Sequence, residues 1–278
     1  MVDVRGGGGG GGGLPIGRAG GGVGIVGIII FLAIQLLGGG SGATFDIPAG
    51  LNGGTTAAQG EPIPPSQDPD KDLRDFSLYV FTDVQDSWTK TFAAGGKDYR
   101  RAKLVLYSGS TATGCGAGSA AQGPFYCPAD QRVYLDLSFY REMETQLQAS
   151  GDFAWAYVIG HELGHHVQNL LGQSDKVAQL TRQHPDDGNA LSVRLELQAD
   201  CYAGVWARSV FDQLEDGDLQ EAFTASQAVG DDRLQKQSGR RVNPDSFTHG
   251  TSAQRLKWFK RGEANGEPAD CDTFSGDF

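Results

Sequence analysis

His161-Glu162-Leu163-Gly164-His165 lies inside an apolar-periodic stretch, Phe153 to Leu171, whose spacing predicts an α-helix. Residues four apart on a helix are rotated by only about 40° around its axis, so His161 and His165 share one face. Two imidazoles on one face can hold one Zn²⁺, and Glu162 beside them can take a proton from a water that the metal activates. A catalytic zinc takes three protein ligands and keeps one position open for water or substrate. The chain must therefore fold so that a third ligand reaches this helix.

A second helical pattern, Leu191 to Trp206, supplies a candidate. Within it Glu196 and Asp200 are four apart and again share a face. Their neighbours are mostly apolar (Leu195, Leu197, Ala199, Ala203, Val205). A carboxylate pair on a helix built for burial needs a neutralising partner. Glu196 is read as the third zinc ligand. Asp200 is read as the acceptor of the free N–H of a ligating histidine, which fixes that ring's tautomer.

His161-Glu-x-x-His165 followed by a helical Glu196-x-x-Ala199-Asp200 resembles the gluzincin pattern, in which two histidines and one glutamate hold zinc. Four stretches together are similar to the bacterial "putative neutral zinc metallopeptidase" family. They are Phe125-Tyr126-Cys127-Pro128-Ala129-Asp130, Gly160 to Gln168, Glu196 to Cys201, and His249-Gly250-Thr251-Ser252-Ala253-Gln254-Arg255. The resemblance covers roughly Asp70 to Asp272. It implies zinc-dependent peptide hydrolysis by a zincin-like α+β domain, with a small sheet, the active-site helix and a helical half. It also implies a role for the fourth stretch: in similar gluzincins a downstream His or Tyr serves the oxyanion and an Arg braces the acidic partners of the ligands. His249 is accordingly read as transition-state stabiliser and Arg255 as partner of Asp200. The two lie just before and within a short helix, Thr251 to Arg261, with Ser252 as its N-cap.

Two histidines remain. His166 is rotated about 100° from the ligand face and is read as structural or near the site, not as a ligand. His184 sits in a polar loop and is read as solvated.

The N-terminus is a separate object. Residues 1–20 contain an unbroken glycine run, Gly6 to Gly13, and read as a flexible tail. Residues 21–38 carry no charge and are long enough to cross a bilayer as one helix. Arg5 and Arg18 precede them, so the positive-inside rule puts the tail in the cytoplasm and the rest outside: a single-pass membrane protein with an extracytoplasmic domain. A cleaved signal peptide is the alternative, since small residues follow. Residues 39–70, rich in Gly, Pro, Thr and Gln, read as a linker. Residues 71–278 form the zinc metallopeptidase domain, beginning with a helical pattern from Asp75 to Thr91. The net charge of −11 and pI near 4.8 exclude a nucleic-acid role.

Four cysteines in an exported domain suggest disulfides, and three pairings are possible. Cys115–Cys127 is the local one; Cys201–Cys271 ties the C-terminal tail to the Glu196 helix. Lys103 to Tyr107 is one candidate strand. Arg132 to Leu137 alternates like another, and in gluzincins a strand just before the active-site helix forms the sheet edge bordering the cleft. That role is expected here, for a peptide or protein substrate bound by backbone hydrogen bonds. A zinc-binding but catalytically silent anchored module, or a non-peptide zinc hydrolase, are the other classes compatible with this pattern.

Overall fold

The structure, a computed structural model, describes residues 1–5, 63, 64, 66–119 and 123–275. Helix α1 (Lys71–Ala94) forms because Val80, Phe81, Val84, Trp88 and Phe92 recur at three- and four-residue spacing and bury one stripe. A four-stranded sheet has the order β1-β2-β6-β5. Strands β1 (Val2–Asp3), β2 (Lys103–Tyr107) and β6 (Arg132–Asp136) run parallel, and β5 (Phe125–Cys127) pairs antiparallel with β6. Strands β2 and β6 are covered on both faces, so burial does not alternate along Leu104–Tyr107 or Val133–Asp136 although the alternation in the sequence identified the second strand. Leu104, Leu106, Val133 and Leu135 face the main core, whereas Val105, Tyr107 and Tyr134 join Phe125 and Cys127 in a second cluster. Strands β3 (Ser110–Thr113) and β4 (Gly116–Ser119) form a separate hairpin.

The helical half comprises α2 (Ser138–Thr145), α3 (Asp152–Leu170), α4 (Gln173–Gln183), α5 (Gly188–Ser209), α6 (Asp218–Ala228), α7 (Asp231–Gln237) and α8 (Ser252–Asn265). Helix α3 is central: α1, α4, α5 and α6 all pack on it, and it touches β5 on the sheet side. The architecture is α+β, as expected.

Three expectations are corrected. Arg132–Asp136 is not an edge: β6 lies between β2 and β5, and the strand beside α3 at the end of the sheet is β5. Three residues are too short a run for periodicity to announce, and β5 is fastened by the disulfide Cys115–Cys127 rather than by length. Thr251, not Ser252, caps α8; its hydroxyl accepts from Gln254 N while the Gln254 side chain returns to Thr251 N, a reciprocal capping box.

The third correction concerns the ends of the expected tail and linker. Residues 2–5 are docked on the domain: Val2 and Asp3 pair with Val105 and Leu106, and Val4 N donates to Leu106 O. Arg5 is buried and bonds Asp3 and Asp68, and Asp68 also receives Arg74. A buried guanidinium requires such carboxylates, so Asp68 belongs to the domain rather than to a linker. The expected anchor, residues 21–38, lies outside the described residues, as do most of the expected tail and linker. Among the described residues no helix is long and apolar enough to cross a membrane.

Candidate metal centre

Helices α3 and α5 approach closely because small residues face each other. A side chain at Gly164 would meet Ala199 O at 2.9 Å, and one at Gly160 would meet the Trp206 ring at 3.1 Å. This contact brings His161 and His165 of α3 against Glu196 of α5. His161 Nε2 lies 3.1 Å from His165 Nε2 and 3.2 Å from Glu196 Oε2, and His165 Nε2 lies 3.4 Å from Glu196 Oε1.

These separations have a chemical meaning. Zinc–ligand bonds of about 2.0–2.1 Å in a tetrahedron place neighbouring donors about 3.3 Å apart. The ring tautomers agree. His161 Nδ1 donates to Asp200 Oδ1 at 2.9 Å, and His165 Nδ1 donates to Gln168 Oε1 at 2.9 Å. Each Nδ1 therefore holds the proton and each Nε2 presents a lone pair to the other. Two lone pairs and a carboxylate converging in a buried place fit a cation, and the N₂O donor set fits zinc.

Around this trio the expected partners assemble. Arg255 grips Asp200 with two bonds, Nε to Oδ2 and Nη2 to Oδ1, both 2.8 Å. The fold thus brings Asp200 and Arg255 together. Burial disfavours the Asp200 charge, but Arg255 and His161 outweigh it and hold the carboxyl below its ordinary range. Tyr157, which sequence reasoning missed, donates its hydroxyl to Asp200 Oδ1 at 2.5 Å and accepts from Arg255 Nη2 at 3.1 Å. It stands four residues before His161, so its place on the ligand face was available as a signal.

Glu162 and His249 line the same cleft, a cavity of about 240 Å³ whose walls include Pro124, Phe125, Tyr126, Phe139 and Val158. Burial pushes the Glu162 carboxyl upward, against the pull of His161 and His165. His249 Nε2 is buried without a hydrogen-bond partner among the described residues, while its Nδ1 lies 3.0 Å from Thr248 Oγ1 and 3.3 Å from Asp231 Oδ1. Asp231, also missed, holds the loop in place: one of its oxygens accepts from the amides of Thr248, His249 and Gly250. Burial works against a charge on His249, but Glu196 and Asp231 outweigh it and raise its pKa.

His166 is fully buried and points away from the trio. Its Nε2 donates to Arg100 O and its Nδ1 accepts from the Tyr126 hydroxyl, which in turn accepts from Asn169. It thus fastens β5 to α3. His184 is an exposed residue at the end of α4. Both disulfides, Cys115–Cys127 and Cys201–Cys271, are formed.

The chain is similar to known proteins over most of its length. The model of a family described as "Putative neutral zinc metallopeptidase" matches residues 1–274. The uncharacterized protein YpfJ of Escherichia coli is 56% identical over 215 residues, which is 76% of this chain and 74% of that protein. The uncharacterized protein Rv2575 of Mycobacterium tuberculosis is 47% identical over 190 residues, 64% of each chain. No solved structure matches.

Proposed function

This chain belongs to the family described as "Putative neutral zinc metallopeptidase", and from that premise we propose that it is a zinc-dependent peptidase of gluzincin-like fold. The observation that carries this reading is the convergence of His161 Nε2, His165 Nε2 and a Glu196 carboxylate oxygen within 4.8 Å, beside Glu162 and an open cleft. Zinc held there supplies a Lewis acid for the scissile carbonyl and makes a water nucleophilic near neutral pH.

The protein's own groups do the rest. Glu162, buried in the cleft beside His161, takes the proton of the attacking water and later gives it to the leaving amine. His249 offers Nε2–H to the carbonyl oxygen as negative charge develops. Asp200, braced by Arg255 and Tyr157, keeps His161 in its ligating tautomer.

An extended peptide or protein segment is the proposed substrate. Edge strand β5 borders the cleft, and a peptide can add to such an edge by backbone hydrogen bonds. The two disulfides favour an oxidising compartment outside the cytoplasm. The apolar residues 21–38 favour attachment to a membrane, under the constraint that Arg5 and Asp68, bonded to each other, lie on one side of it.

The test uses the full chain. Zinc content is measured, and a mixed peptide library is incubated with wild type and with Glu162→Gln. One zinc per chain in both proteins, with cleavage only by wild type, is the expected result. One zinc and no cleavage by either turns the reading toward a binding module. Absence of zinc binding removes the peptidase reading altogether.

A further inference from the structure

The two histidines of the trio are held by different chemistry. His161 leans on a carboxylate, whereas His165 leans on a neutral amide, Gln168. Gln168 is buried on α3, three residues beyond His165 and one turn along the same face. The orientation of its amide is settled by its other bonds. Gln168 Nε2 donates to Leu195 O at 2.7 Å and to Gln198 Oε1 at 3.1 Å, which uses both of its hydrogens. Its oxygen must then face His165 Nδ1, which places the ring proton on Nδ1 and the lone pair on Nε2, toward His161 and Glu196.

The same side chain reaches the third member of the trio through the backbone. Leu195, whose carbonyl Gln168 holds, directly precedes Glu196 on α5. Gln198 is held in turn: its Nε2 donates to Cys271 O at 3.0 Å, and Cys271 is bonded to Cys201. One line of contacts therefore runs from a ring nitrogen of His165, through two amides, to the disulfide that fastens the C-terminal tail to α5.

We propose that Gln168 is the positioning residue for the metal ligand His165, and that the Cys201–Cys271 disulfide holds Gln168 in register through Gln198. The proposal rests on the reading that His161, His165 and Glu196 hold zinc. Gln168 offers no proton and takes none. It acts by geometry alone, unlike Asp200, whose charge also acts on His161. A partner of this kind contributes about 10- to 100-fold to metal affinity.

The experiment measures zinc affinity of the full chain by chelator competition, the His165 tautomer by ¹⁵N NMR, and the melting temperature of the metal-free protein. Gln168→Met keeps the volume and removes the amide. It is expected to lose about 10- to 100-fold in zinc affinity, with the His165 ring no longer confined to the Nδ1–H form. Gln168→Glu returns an acceptor to His165 Nδ1 but sets its second oxygen against Leu195 O and Gln198 Oε1, so it is expected to restore the Nδ1–H form of the ring while regaining only part of the affinity. Gln198→Met and Cys271→Ser are expected to weaken zinc binding less than Gln168→Met, and to add nothing to it in the double variants.

A role confined to packing predicts the opposite pattern: a lower melting temperature in Gln168→Met with zinc affinity and tautomer unchanged. That result overturns the proposal while leaving the zinc site standing. Additive losses in the double variants overturn the link to the disulfide. If Gln168→Met does not fold, unchanged zinc affinity in both Gln198→Met and Cys271→Ser overturns that link in its place. Wild type without zinc overturns both this proposal and the reading beneath it, and the two failures are thereby told apart.

Discussion

At the scale of single residues, the site depends on buried charges that neutralise one another. Asp200 and Arg255 are both buried, so removing one leaves the other uncompensated. Asp200→Ala is expected to destabilise the protein by about 3–5 kcal/mol in denaturant unfolding, the usual result of breaking a buried pair from one side. An unchanged midpoint would show that Arg255 finds water or another carboxylate. Asp231 allows a finer test. Its folded pKa is depressed: burial opposes the charge, but His249 and the amides of the loop outweigh it. Such a group stabilises fully above its unfolded pKa of about 3.9, and that stability is lost as pH falls through the lower folded value. Asp231→Asn should therefore be less stable than wild type at neutral pH, with the difference shrinking below about pH 4. In the same variant the turnover number should fall toward that of His249→Ala, about 100-fold below wild type, if His249 serves the oxyanion. Activity equal to wild type in both would remove His249 from the chemistry.

At the scale of elements, the contact between α3 and α5 makes the candidate metal centre. The helices meet where Gly164 lies against the backbone of Ala199, and their ligands converge because no side chain intervenes. Gly164→Ala adds one carbon 2.9 Å from Ala199 O and 3.0 Å from its Cα, closer than packed atoms tolerate. Overpacking of this kind costs about 1–3 kcal/mol. The expected outcome is lower zinc affinity together with a lower melting temperature; zinc affinity equal to wild type would mean that the helices yield elsewhere. The helix positions were readable in the sequence because His161, His165, Glu196 and Asp200 follow the same 3.6-residue period as the apolar residues around them. Tyr157 and Gln168 lie on that period too, at minus four and plus three from the ligating histidines, and could have been read from spacing. Asp231 could not: it opens α7, far along the chain from His249, and only packing joins them. The edge strand was misread for a related reason. Period-two alternation identifies a strand but says nothing of its neighbours, and β6 acquires one on each side.

At the scale of the whole molecule, the place of the first five residues bears on the proposed membrane attachment. Strand β1 pairs with β2 and Arg5 is buried against Asp68, so Met1–Arg5 is fastened to the domain. A single crossing between them would separate what the structure joins. Cysteines at positions 2 and 105, which face each other across β1 and β2, are expected to form a disulfide in the full chain within intact membranes. Failure to cross-link under oxidant, with the Val2→Cys thiol labelled from the side opposite the domain, would restore the single-pass arrangement. The charged termini, the glycine run and the apolar run were all visible in the sequence. The docking of Met1–Arg5 on the domain was not, because a two-residue strand is held by long-range partners and carries no period of its own.

The sequence by itself determined the candidate groups: two imidazoles and a carboxylate on one helix, a carboxylate pair on another, and cysteines enough for two bridges. Those follow from helical periodicity and from the cost of burying charge, which act over a few residues. Only the tertiary structure decided which groups complete the site. Gln168, Tyr157 and Asp231 matter because close packing of α3 against α5, and of the His249 loop against α7, brings together polar atoms that lie 18 (Asp231 to His249), 27 (Gln168 to Leu195) and 43 (Tyr157 to Asp200) residues apart. The same long-range packing selected one cysteine pairing, moved the sheet edge to β5 and docked the N-terminus, since a contact across the fold leaves no local trace in the chain.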